Sequence, residues 1–188
     1  LKVDTLDNRS ISDRVLAQIV EAIGRSKPDA FVFSDFRHGI FNRSTIPPLI
    51  EAIPAETFRV ADSQVASRWG NILEFKNFDL ITPNEKEARF ALADQDSVVR
   101  PLGSRLYREA GCKVLMLKMG ARGMMTFRGD VERPSERAEF FVLDSFVDVV
   151  SDAVGTGDAL LAYATLGLKA TGNSVIASIL GAVAAAVE

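Results

Sequence analysis

Three short stretches hold the residue types that could do chemistry, each at the end of an apolar run. The first is Asp152-Ala153-Val154-Gly155-Thr156-Gly157-Asp158, which follows Val149-Val150 and leads into the alanine-rich segment from Ala159 to Ala164. These residues predict a strand, a tight turn and a helix start. Glycines at such a turn let the backbone come close to a ligand, and the amides and positive dipole end of a helix favour an anion, phosphate above all. A carboxylate beside a phosphate is repelled by it, and taking a proton from an attacking hydroxyl gives an acid a reason to be there. That makes Asp158 a candidate general base. The competing reading is a helix cap, since Asp is a favoured N-cap residue.

The second stretch is Leu80-Ile81-Thr82-Pro83-Asn84-Glu85-Lys86-Glu87-Ala88. It lies at the exit of a predicted strand, where open α/β sheets place their ligands. Asn84 and Glu87 stand about one helical turn apart and can converge on one hydrated cation; Mg²⁺ keeps most of its waters and suits an amide and a carboxylate acting through them. The same spacing is also a capping box in its own right. In the third stretch, Leu117-Lys118-Met119-Gly120-Ala121-Arg122-Gly123, two glycines permit a close backbone path while Lys118 and Arg122 can neutralise phosphate charge. A glycine turn with solvated charges explains it equally well when it stands alone.

The elements that must position these residues alternate along the chain. Apolar residues from Ile11 to Ile23 recur at helical spacing, which predicts a helix over 10–26 closed by Gly24 and Pro28. Residues 30–34 read as a buried strand, 46–53 as a short helix with Pro47 and Pro48 in its first turn, and 58–61 as a strand. Then come a strand at 78–82, helices at 84–93 and 98–110, and a strand at 113–117. Such a repeat predicts an α/β fold with a doubly wound, mostly parallel sheet and helices on both faces. Residues 124–127 and 138–142, with a charged turn between, predict an antiparallel hairpin at one side of the sheet. Helices over 156–169 and 174–187, joined by Gly172-Asn173, close the chain. Leu1 to Asp4 alternate weakly, as the end of another strand would.

The pattern Asp-x-x-Gly-x-Gly-Asp at 152–158 resembles the signature of the ribokinase-like (PfkB) carbohydrate kinases, which transfer the terminal phosphoryl group of ATP to a sugar hydroxyl. The resemblance implies that Asp158 is the base and that the amides of Gly155, Thr156 and Gly157 form an anion hole for the moving phosphoryl group. Ala153 and Val154 stand where the family often has threonine. Pro83-Asn84-x-x-Glu87 resembles the family's magnesium-associated motif, and the resemblance adds Asp152 to Asn84 and Glu87 around the metal. Gly120 and Gly123, with Lys118 and Arg122, would line the ATP site, Asn84 facing the same nucleotide. ATP and Mg²⁺ are the implied cofactors, with room for a monovalent cation, and a sugar or sugar phosphate is the implied substrate. Ser34-Asp35-Phe36-x-x-Gly39 is similar to heptose-phosphate kinases of this family, with Arg37 and His38 replacing the usual pair. Asp62-Ser63-Gln64 departs from the family's Asp-Pro-Asn type of turn. The resemblance covers the later part of the family's fold, so residues 1–188 are expected to form a single partial domain lacking the upstream sugar-binding and lid region, and a homodimer is compatible with it.

Bulk properties narrow the field further. The 188 residues are 47% hydrophobic, ample for a core, and the net charge of −3 gives no general attraction to nucleic acid or an anionic membrane. A single cysteine, Cys112, excludes an internal disulfide and points to packing in a reducing cytoplasm. No apolar run reaches the roughly 20 residues that span a bilayer. His38, the lone histidine, has no partner residues in a catalytic pattern and is assigned no role. A Gly-x-x-x-x-Gly-Lys-Ser/Thr phosphate loop is absent, and no Gly-x-Gly-x-x-Gly follows an early strand, which disfavours a dinucleotide oxidoreductase. The alternative function is a non-catalytic, kinase-like module that binds a sugar or nucleotide.

Overall fold

The computed structural model describes residues 9–65, 71–129, 139–146 and 155–187. The first helix, α1 (Asp13–Arg25), is capped by Ser12, whose hydroxyl accepts the Val15 amide at 3.4 Å. Gly24 lies inside this helix rather than ending it: the chain leaves at Ser26, whose amide still reaches the carbonyls of Ala22 and Ile23. Strand β1 (Ala30–Asp35) follows, then α2 (Ile46–Glu51), with Pro47 and Pro48 in the first turn where a missing amide proton costs no helical bond. Next come β2 (Phe58–Ser63), a single 3-10 turn at Ile72–Glu74, and β3 (Leu80–Ile81). The strand expected over 78–82 is thus paired as a strand only at its centre. Beyond it Pro83 has no amide to continue the ladder, and Asn84 already caps α3 (Glu85–Leu92). Helix α4 (Val99–Ala110) ends on Gly111 at φ 63°, before β4 (Val114–Lys118). The hairpin β5 (Met124–Arg128) and β6 (Glu139–Leu143) precedes α5 (Thr156–Thr171) and α6 (Ser174–Val187). The expected strand at Leu1 to Asp4 lies outside the described residues.

The six strands form one sheet in the order β1-β2-β3-β4-β5-β6. The first four run parallel, with Val32 beside Val60, Val60 beside Leu80 and Leu80 beside Val114; β5 and β6 are antiparallel. Each parallel connection moves one strand in the same direction. Right-handed crossovers then put every connecting helix on one face, leaving the other to whatever follows the hairpin.

Side-chain alternation shows this division. On one face Phe33, Ala61, Ile81, Leu115, Leu117, Met125 and Phe127 pack against α1 to α4. At its centre Phe33 touches the rings of Phe31, Phe41, Phe75 and Phe78 at 5.1–5.5 Å between centroids. On the opposite face Val60, Leu80, Val114, Met116 and Met124 pack against Leu160, Leu161, Ala164 and Leu168 of α5 and Ala177 of α6. A buried hydrogen bond of 2.9 Å between Thr126 and Ser178 ties β5 to α6. Among the described residues, no helix is long and apolar enough to cross a membrane.

Candidate functional site

Each parallel strand finishes on polar residues: Ser34 and Asp35 on β1, Asp62 and Ser63 on β2, Thr82 just past β3, and Lys118 on β4. Alternation sorts them into two groups. Asp35 and Ser63 share the face of Phe33 and Ala61. There the Asp35 carboxylate accepts the Ser63 hydroxyl at 2.9 Å and the Arg37 amide at 2.8 Å, and forms a buried ion pair with the Arg37 guanidinium. Arg37 sits at φ 63°, so this pair pins a strained bend after β1.

Ser34, Asp62, Thr82 and Lys118 share the other face, toward the start of α5. The Lys118 ammonium donates to both oxygens of Asp62, at 3.0 and 3.1 Å, and the Thr82 hydroxyl donates to Asp62 Oδ1 at 3.0 Å. A methyl placed on Gly157 would meet Lys118 Nζ at 3.7 Å, so the ammonium lies directly against the first turn of the helix. At the cap position stands Gly155, at φ 92°, a conformation L side chains rarely adopt. Among the described residues the helical ladder begins with the Ala159 amide donating to the Gly155 carbonyl at 3.0 Å, and the leading amides of any helix point away from its own ladder. Asp158 is the third helical residue and makes no cap. Its exposed carboxylate instead accepts the Ser34 hydroxyl at 3.4 Å. A helix start with an ammonium against it, and a carboxylate one position on, suits an anion that must react with a hydroxyl. Asp152 lies outside the described residues.

Asn84 and Glu87 meet as the spacing requires. Asn84 Oδ1 accepts the Glu87 amide at 2.8 Å, Glu87 Oε2 accepts the Asn84 amide at 2.7 Å, and Asn84 Nδ2 donates to Glu87 Oε1 at 2.8 Å. The capping box is formed in full. Glu87 is also only 5% exposed, and its pKa is pushed up to about 7: burial raises it most, Lys118 and the Asn84 amide oppose the rise, and Asp62 adds to it. Asp62 and Glu87 thus both lie in the field of the Lys118 ammonium, and a hydrated cation beside Glu87 would favour the charged form that burial disfavours.

The turn after β4 divides its residues differently. Gly120, at φ 60°, has open space where a side chain would stand. Gly123 is glycine for an internal reason, since a methyl there would lie 2.1 Å from the Leu143 carbonyl oxygen. Arg122 pairs with Glu85 at the start of α3 and remains largely exposed, while Lys118 turns into the cluster. An open cavity of about 480 Å³ lined by Val65, Glu85, Lys86, Arg89, Phe90 and Gln95 flanks α3 and shares none of the clustered residues. Among the described residues, the strand ends are where a helix start, an ammonium and an acid come together. Motif reading named Ser34, Asp62 and Thr82 but gave them no role in the site; their place on the same alternation as Val32, Val60 and Leu80 is the signal that marks them.

Against known proteins, residues 46–188 match the model of the pfkB family carbohydrate kinase. Phosphofructokinase-2 from Escherichia coli, solved in complex with potassium, superposes with a TM-score of 0.77 at 16% identity over 94% of this chain and 56% of its own. Ribokinase from Arabidopsis thaliana, solved with ribose and ATP, gives 0.66 at 16% identity over 95% of this chain and 53% of its own. A probable sugar kinase from Rhizobium etli CFN 42 gives 0.63 at 13% identity over 89% and 49%. At these identities the likeness shows the fold, and the chain spans about half the length of each structure. No curated protein matches the sequence.

Proposed function

Because the chain belongs to the pfkB family of carbohydrate kinases, we propose that it carries the catalytic end of an ATP-dependent kinase whose acceptor is a hydroxyl of a sugar or sugar phosphate. The observation that most supports this is the Asp158 carboxylate, exposed on the first turn of α5 beside the helix start and the Lys118 ammonium. Asp158 takes the proton of the acceptor hydroxyl as its oxygen bonds to the terminal phosphorus of ATP and the bond from that phosphorus to the ADP oxygen breaks. The amides of Gly155, Thr156 and Gly157 hold the charge on the transferred group, and Lys118 supplies a positive charge beneath them. Mg²⁺, where bound, neutralises charge on the phosphate oxygens, and Asn84 and Glu87 would hold it through its waters. Ser34 orients Asp158 by its hydrogen bond. Gly120, Gly123 and Arg122 form the rim of the nucleotide site in this reading, and the cytoplasm, where ATP is abundant, is the place of action.

The test is Asp158→Asn in the full-length protein, assayed with ATP and a panel of sugars and sugar phosphates. Turnover should fall by roughly two to four orders of magnitude, the usual range for loss of a general base, while nucleotide affinity stays close to wild type. Near-normal turnover in that variant would remove the base from the scheme. Nucleotide or sugar binding without turnover in the wild type would instead favour the non-catalytic module.

A further inference from the structure

We propose, resting on the kinase reading above, that Asp62 is a positioning residue: with Thr82 it holds the Lys118 ammonium against the Gly155–Gly157 turn, where that ammonium meets the phosphate oxygens. A lysine at a strand end has a four-carbon stem and several rotamers, and left alone would spend much of its time in water. Here its nitrogen is bonded to both oxygens of one carboxylate, and that carboxylate is itself fixed by the Thr82 hydroxyl. The Lys118 side chain is 17% exposed and that of Asp62 is 9% exposed, so the pair is largely sheltered, with the ammonium lying against Gly157. An ammonium has three donors, and the contact with Asp62 uses at most two.

The arrangement also answers why a carboxylate stands so near an anion site. Asp158 is another carboxylate at this helix start, and an ammonium bound to it would hold the base in its charged, weakly basic form. Asp62 engages Lys118 from the sheet side and keeps it off Asp158. Lys118 is therefore the group that touches the ligand, and Asp62 acts only through it.

Kinetics of Lys118→Met, Asp62→Asn and the double variant in the full-length protein test this. Lys118→Met should lower kcat by about 10²- to 10³-fold, the loss usual for one stabilising donor, with KM for the acceptor little changed. Asp62→Asn keeps the size and an acceptor for Thr82 and should lower kcat about tenfold or more, again without a change in acceptor KM. The double variant should be no slower than Lys118→Met alone, since Asp62 has nothing left to position. Losses that multiply in the double variant, or a lowered Tm in Asp62→Asn with kcat intact, would overturn the proposal. If the wild type phosphorylates no sugar, the kinase reading fails by itself, and calorimetric titration with inorganic tripolyphosphate then decides the matter. Both single variants should bind it at least fivefold more weakly than wild type; unchanged binding in either would overturn the positioning role.

Discussion

Glu87 makes stability depend on pH at the centre of the site. Its pKa of about 7 in the folded chain lies above the usual 4.5, because burial disfavours the charged form more than Lys118 and the Asn84 amide favour it. Below about pH 4.5 the carboxyl is neutral in both states and costs nothing. As pH rises from 4.5 to about 7 the unfolded chain ionises first, so a penalty on the order of 3 kcal/mol accumulates and is complete above 7. Glu87→Gln cannot ionise and should therefore melt higher than wild type at pH 8, with the gap shrinking or reversing at pH 5, where Gln only forfeits an Asn84 contact. A Tm difference that ignores pH would show that the buried charge is not the cause. If Glu87 helps to hold Mg²⁺ as proposed, the same variant should lose activity that added Mg²⁺ partly restores. At this scale the spacing of Asn84 and Glu87 announced their meeting, yet it could not choose between cap and cation, since one geometry serves both. Asp62 was visible only as the first residue of a turn that departs from the family's pattern, and its register against Lys118 and Thr82 is what gives it partners.

Helices α5 and α6 lie unusually close, and this fixes where Asp158 stands. A methyl on Gly181 would sit 3.1 Å from Ala164 Cβ and from the Leu160 carbonyl oxygen, and one on Gly167 would sit 3.1 Å from Ala177 Cα. Gly181→Val should force the helices apart at a cost of about 1–3 kcal/mol, lowering Tm by several degrees. Because Leu160 is only two residues from Asp158, kcat should fall more than the residual folded fraction explains; a kcat per folded molecule equal to wild type would show that the helix start is insulated from the packing. The amphipathic helices were readable from apolar spacing, since α1 and α4 each turn one stripe to the sheet. For α5 and α6 the segments were clear but their faces were not, because apolar residues surround both. Gly24 misled as a stop signal: a glycine can remain helical when Ser26 supplies the exit.

Two surfaces of the whole molecule remain apolar and open. On β1, Val32 is 42% exposed on the face where Val60, Leu80 and Met116 are covered, and α6 presents Val175, Ile176, Ile179, Leu180 and Val183 outward with no charged residue along its length. The 188-residue stretch produced alone should therefore self-associate and, if the acceptor site belongs to the half of the neighbours' fold that it does not span, bind ATP with Mg²⁺ weakly and phosphorylate no sugar, since phosphoryl transfer depends on a positioned acceptor. Sedimentation with calorimetric titration checks this; tight sugar binding by a well-behaved monomer would contradict it. The alternating elements and the hairpin at the sheet's side gave away a mostly parallel sheet with helices on both faces, whereas the neighbour of each strand came only from the fold, because pairing depends on distant segments. One contact has a dynamic meaning. Ser34 sits on the outermost described strand while Asp158 begins the helix on the sheet's face, and their hydrogen bond spans the two. Phe33, one residue before Ser34, anchors this strand at the centre of the aromatic cluster, so Ser34 leaves Asp158 only when that core loosens. Activity should therefore fade on warming together with the core rather than before it, and a phosphate ligand at the helix start should slow amide hydrogen exchange in β1.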